Sequence, residues 1–137
     1  MNIMLDPGAK MPQYAHPFDA GMDLFANERK VLRPNDWAVV DTGTHIEIPK
    51  HYFGLVTSKS GLMAKSGITC RGTIDYGYTG SIKAVLFNHS NKTYIVEKGD
   101  KVTQLIIMRC EHPTLQQVDH LEDTERGDNG FGSTGLR

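Results

Sequence analysis

Thr44-His45-Ile46-Glu47-Ile48 decides the fold class. In an extended chain successive side chains point to opposite faces, so Ile46 and Ile48 share one face and His45 and Glu47 the other. That is the signature of a strand with one buried side. The same short, β-rich texture recurs at Trp37 to Thr42, Tyr52 to Thr57, Ser81 to Asn88, Thr93 to Glu97 and Val102 to Met108. Turn chemistry punctuates the runs at Arg33-Pro34-Asn35-Asp36, Ile48-Pro49-Lys50, Asn88-His89-Ser90-Asn91 and Lys98-Gly99-Asp100. Only Ser60 to Lys65 is suited to a helix, of one or two turns. Many short strands at close spacing predict an all-β domain, a sandwich or a jelly-roll barrel, with little or no helix.

The chain has 137 residues, enough for one domain with one core. Its 15 Lys and Arg against 16 Asp and Glu give a net charge of −1, which excludes the broad basic field of a duplex-binding or membrane-surface protein. No apolar run approaches the ~20 residues of a membrane span. Met1 to Pro7 has no basic stretch leading into an apolar one, so no secretory signal is expected, and a cytoplasmic location is the default. Two cysteines, Cys70 and Cys110, cannot build a disulfide framework; in or beside predicted strands, they read as small buried packing residues.

Three partial motifs fail on inspection. Gly127 and Gly132 followed by Ser133-Thr134 imitate a Walker A loop, but the lysine is missing and no helix can follow. His45-Ile46-Glu47 matches half of the zinc deaminase signature, without the Pro-Cys-x-x-Cys that supplies its thiolates. The six histidines are scattered without a zinc-binding spacing.

Five polar islands remain. Asp19-Ala20-Gly21-Met22-Asp23-Leu24 has a glycine turn expected to bring two carboxylates together. Ser58-Lys59-Ser60-Gly61 sets a cation and hydroxyls at a strand end. Gly72-Thr73-Ile74-Asp75-Tyr76-Gly77-Tyr78-Thr79-Gly80 reads as a β-hairpin with an acid and aromatics at its tip. Gly99-Asp100-Lys101-Val102-Thr103-Gln104 is the fourth. The fifth is the tail, Arg126 to Gly135, whose glycines are interrupted by Arg126, Phe131, Ser133 and Thr134. Singly, each island also reads as turn chemistry, and the tail as a frayed terminus. Together they collect the cations, donors, acids and aromatics that suit a nucleotide with a polyphosphate.

In order and spacing, from about Phe18 to Gly135, the islands resemble the boxes of the trimeric deoxyuridine triphosphatases (dUTPases). Ala20 to Leu24 is similar to that family's Ala-Gly-x-Asp-Leu box, and Arg126 to Gly135 follows its glycine-rich arm almost letter for letter. The resemblance implies a jelly-roll homotrimer whose sites are shared between chains. Residues 1–125 would form the nucleotide-binding domain and 126–137 an arm closing over a neighbour's site. It implies hydrolysis of dUTP to dUMP and pyrophosphate, which supplies dUMP and keeps uracil out of DNA. Asp75 resembles the general base, and Tyr78 the ring that leaves no room for a 2′-hydroxyl. Uracil and deoxyribose would meet Gly72, Thr73, Ile74, Ser81 and Lys83, largely through main-chain groups, with Phe131 stacked above. The phosphates would meet Lys59, Ser60, Gly61, Gln104, Arg126, Gly132, Ser133 and Thr134. Magnesium would ride on the triphosphate, with Asp23 in its outer shell and no direct protein ligand.

Two departures stand out. Lys59 replaces the family's usual arginine, and Ser81 stands where many members carry asparagine. The rival within the fold, dCTP deaminase, carries a catalytic glutamate on the strand after the hairpin. Here no acid lies between Asp75 and Glu97, and Leu86 and Phe87 fill that region. A second rival is a nucleotide-binding or regulatory protein of the same fold, which would grip nucleotide, or a protein partner, without turnover.

Overall fold

The computed structural model describes residues 1–130. Ten strands and one short helix follow in the order β1 (Ile3–Leu5), β2 (Met22–Phe25), β3 (Lys30–Leu32), β4 (Trp37–Asp41), β5 (Thr44–Ile46), β6 (Tyr52–Thr57), α1 (Ser60–Ser66), β7 (Ile68–Ile74), β8 (Lys83–Asn88), β9 (Tyr94–Val96) and β10 (Lys101–Arg109). Six strands form one antiparallel sheet in the order β2-β10-β6-β7-β8-β4, and β1-β5 and β3-β9 make two small ribbons. The non-sequential neighbours β2-β10 and β10-β6 are the crossed connections of a jelly roll.

Alternation is obeyed where it was expected: Ile46 and Ile48 are buried while Glu47 is exposed. Leu24, Val40, Val56, Leu86, Val96 and Leu105 meet in one core, each side chain contributing about 1.5–3 kcal/mol by leaving water. Strand β2 shows no alternation, because all four of its residues are buried. Buried polar groups are satisfied locally. The Asn88 amide donates to the carbonyls of Leu32, Arg33 and Lys92, and its oxygen accepts from Ser90, so the end of β8 is stapled to β3 and the turn before β9. Lys59 stands at the N-cap of helix α1 and gives it no side-chain hydrogen bond.

Cys70 lies in the core as expected, and burial pushes its thiol up. Cys110 corrects the packing assignment. It sits just beyond β10, half-buried, with Sγ 3.9 Å from His112 Nε2, because the chain leaves the sheet at Arg109. From Glu111 to Gly130 every residue is exposed.

Candidate active site

Strand register brings three of the islands together. Gln104 of β10 faces Asp23 of β2 on one side and Thr57 of β6 on the other, and Lys59 follows two residues after Thr57. The Gln104 amide donates to the Ser58 carbonyl at 3.1 Å, while the Ser58 hydroxyl bonds the Cys70 backbone and ties this turn to β7. Gly21 packs close to this group: a Cβ there would lie 2.7 Å from Gln104 Oε1 and push that amide aside.

Asp23 is buried, and its two oxygens carry two ammonium groups, Lys59 on Oδ1 and Lys101 on Oδ2 at 2.8 Å. Burial acts to raise its pKa, but the hydrogen bonds from Lys101 and Lys59 outweigh it and hold the carboxyl below its ordinary 3.8. The expected pairing with Asp19 does not occur. Asp19 accepts from the His16 backbone N–H at 2.9 Å within its own exposed turn, and the two carboxylates share no partner. The arrangement is a cationic corner: two lysines on one carboxylate, beside the uncapped first turn of α1, where Ser60 and Gly61 are exposed. Free first-turn amides and ammonium groups are what an anionic phosphate needs.

The third island is built on the opposite end of β6. Strand β7 pairs with β6 from Arg71↔Thr57 to Ile74↔Gly54, so Asp75 emerges about 13 Å along the strand from Gln104, at ~3.3 Å per residue. With β8, β7 pairs only at Ile68, Thr69 and Cys70. Beyond Cys70 the hairpin opens, so Gly72 to Ile74 have a backbone edge not taken by β8. The loop from Asp75 to Ile82 presents Asp75 and Tyr78 exposed. Tyr78 donates its hydroxyl to the Ser81 carbonyl at 3.0 Å, and its ring lies over Gly80, where a Cβ would sit 2.6 Å from Cζ. Among the described residues no hydrogen bond or ion pair links this loop to the cationic corner.

The Ser81 hydroxyl and the Lys83 ammonium are both engaged by Asp41 of β4, whose carboxyl also accepts from the Gly43 N–H at 2.9 Å. Burial acts to raise the Asp41 pKa, yet these bonds, Lys83 foremost, bring it down to about 2. Ser81 and Lys83 thus have their side chains turned to Asp41. The Ile82 backbone between them bonds Thr44 and Thr42. Spacing along the sequence does not single out Asp41, His45 or Lys101, which register and long-range contacts place beside these groups. For Asp41 the signal was present in Asp41-Thr42-Gly43, an Asx turn ahead of a strand.

Arg126 is exposed and donates to the Asn129 carbonyl at 3.1 Å, with no bond to the sheet among the described residues. Phe131, Gly132, Ser133 and Thr134 lie outside the described residues. No group of three or more His, Cys, Asp or Glu placed to hold a metal occurs among the described residues, and no helix there is long and apolar enough to cross a membrane.

The dUTPase family model matches residues 8–135. A deoxyuridine 5′-triphosphate nucleotidohydrolase of Clostridium tetani is 44% identical over 135 residues, covering 96% of this chain and 93% of the relative. Among solved structures, a mutant dUTPase of Staphylococcus bacteriophage 80alpha with dUpNHpp superposes with a TM-score of 0.92 at 32% identity, over 98% of both chains. A mutant dUTPase of phage phi11 of S. aureus, solved to reveal the coordination of a structural Mg(II) ion, does so at 0.83 and 31% identity, over 89% of this chain and 98% of the other. Family model, relatives and structures agree with the boxes read along the sequence: the chain belongs to the dUTPase family.

Proposed function

We propose that the chain hydrolyses dUTP to dUMP and pyrophosphate, water attacking the α-phosphorus. Asp75 takes the proton of that water as general base, and the bond from the α-phosphorus to the bridging oxygen breaks, the electron pair leaving with pyrophosphate. The observation that carries the reading is the opened β7-β8 hairpin in a dUTPase-family chain: an exposed carboxylate and a tyrosine beside a free strand edge. That edge, at Gly72, Thr73 and Ile74, offers fixed main-chain donors and acceptors to uracil, which cannot rotate to suit cytosine. Tyr78, seated over Gly80, excludes a 2′-hydroxyl by contact. Main-chain groups of Ser81 and Lys83 border the same opening, their side chains held away by Asp41.

The triphosphate is received by the cationic corner: Lys59, the Ser60 and Gly61 amides, and Gln104. Lys59 acts as a point charge where an arginine would act as a fork. Magnesium would arrive on the substrate's phosphates and would supply charge neutralisation there. Asp23 is buried and already carries two ammonium groups, so it suits a neighbour accepting from a metal-bound water, not a direct ligand.

The separation of Asp75 from Gln104 along β6 supports a homotrimer in which one chain's hairpin faces another's cationic corner. The exposed chain beyond Arg109 supports an arm, from Arg126 onward, that brings Arg126, Phe131, Gly132, Ser133 and Thr134 to a neighbour's substrate. A cytoplasmic location fits this reading. Deamination lacks its proton shuttle, because β8 carries no carboxylate and Leu86 is in the core. The test is Asp75→Asn with calorimetric binding of dUTP. Lost hydrolysis with retained binding supports the assignment; normal turnover overturns it.

A further inference from the structure

His45-Ile46-Glu47 has no part in the hydrolysis just described, yet His45 is the β5 side chain that reaches the loop after β7. Its Nδ1 lies 2.8 Å from the Thr79 carbonyl oxygen and its Nε2 3.2 Å from Asp6 Oδ1. A carbonyl and a carboxylate are both acceptors. The two contacts are satisfied together only when both ring nitrogens carry protons. The rest of the loop is held differently. Ile82 N–H donates to the Thr44 carbonyl at 2.8 Å, Ser81 bonds Asp41, and Tyr78 N–H donates to the Asp75 carbonyl at 3.2 Å. None of these restrains Thr79.

We propose that His45, braced by Asp6, is a positioning residue: as the imidazolium it clamps Thr79 and so fixes the loop that carries Asp75 and Tyr78. This rests on the reading of Asp75 and Tyr78 as the reacting and sugar-facing groups. Charge around the ring favours that form. Asp6, just past β1, faces Nε2, and Asp41 of β4 adds a second negative charge, itself paired with Lys83 of β8. Glu47, just past β5, is exposed and bonded by Asn2. The Thr79 carbonyl, opposed by partial desolvation and helped by Asp6, raises the His45 pKa above its ordinary 6.5. Loss of the Nδ1 proton sets a lone pair against the Thr79 carbonyl oxygen while the remaining Nε2–H stays on the Asp6 carboxylate, so the neutral ring no longer holds Thr79. Glutamine cannot bridge both acceptors with the same rigid spacing.

The test uses the full chain with His45→Gln and Asp6→Asn, kcat and KM for dUTP across about pH 5 to 9, and His45 ring titration by proton–nitrogen NMR. The expected wild-type kcat has a component lost as pH rises through the NMR-measured His45 titration. H45Q loses that component and about tenfold in kcat, with KM changed less than about twofold, because a loosened loop misplaces the base. D6N moves both the NMR titration and the kcat component to lower pH. Amide exchange from Tyr78 to Gly80, which needs no turnover, quickens in H45Q. A wild-type kcat and pH profile in H45Q overturns the proposal. So does a D6N protein whose NMR titration moves while kcat does not, or unchanged exchange in the loop. Failure of the catalytic reading itself shows separately, as hydrolysis by Asp75→Asn.

Discussion

Replacing Asp23 by Asn tests the cationic corner on its energetics. Asp23 has only 6% of its side chain exposed, while Lys59 and Lys101 retain 24% and 41%. Breaking a fully buried pair costs about 3–5 kcal/mol, and an exposed pair contributes at most about 1. Here the carboxylate is buried but both ammonium groups can rehydrate, so the expected loss is about 2 kcal/mol. Asparagine keeps one oxygen for one lysine and points an NH₂ at the other, donor against donor. For a chain of this size the loss lowers Tm by about 6 °C at matched protein concentration. The pH dependence has a fixed sign. The folded pKa of Asp23 lies below its ordinary 3.8, so its stabilisation is complete above that value and is lost as pH falls through the folded pKa. Urea unfolding of both proteins should give the full gap at neutral pH, closing below about pH 4. A gap that persists unchanged at about pH 3, or no gap at neutral pH, would rule out the ionised Asp23 carboxylate as its source.

Further outcomes follow from the site. Lys59→Arg should leave turnover intact or raise it, since a fork replaces a point charge; a tenfold loss in steady-state rate would show that lysine itself is required. Gly80→Ala pushes the Tyr78 ring out of its seat. It should lower kcat/KM for dUTP by about tenfold and admit more UTP, while an exposed loop change moves stability by less than about 1 kcal/mol. Unaltered dUTP/UTP discrimination would remove Tyr78 from the sugar. Asp75→Asn and Gln104→Ala, each inactive alone, should recover about a quarter of wild-type activity when unfolded together in equal amounts and refolded, if every site takes its loop and its cationic corner from different chains. Recovery of none would place both halves in one chain.

Legibility in the sequence followed the physics of each element. Half-buried strands announce themselves by alternation, which is why β5 and β6 were read with nearly their observed bounds. Strand β2 does not announce itself in the sequence, because Met22, Asp23, Leu24 and Phe25 are buried on both faces and carry no period of two. β1 (Ile3-Met4-Leu5) and β3 (Lys30-Val31-Leu32) set apolar residues side by side, Met4 and Val31 facing out, so no polar–apolar period shows. The boxes carrying Asp75, Tyr78 and Gln104 were legible because their residue types are unusual together. Lys101 and Asp41 were not, since an ion pair is made by strand register, as between Asp41 and Lys83, and spacing along the chain does not reveal it. In the sequence His45 reads only as half of a motif, because its partners Asp6 and Thr79 lie 39 and 34 residues away.

Every role assigned to the site rests on selective hydrolysis at the α-phosphorus of dUTP. Phosphorus NMR of dUTP with magnesium and catalytic protein, beside parallel samples of dCTP, dTTP and UTP, tests it most directly. Pyrophosphate and dUMP should appear from dUTP alone. Silence with dUTP, or dUTP forming from dCTP, would contradict the account.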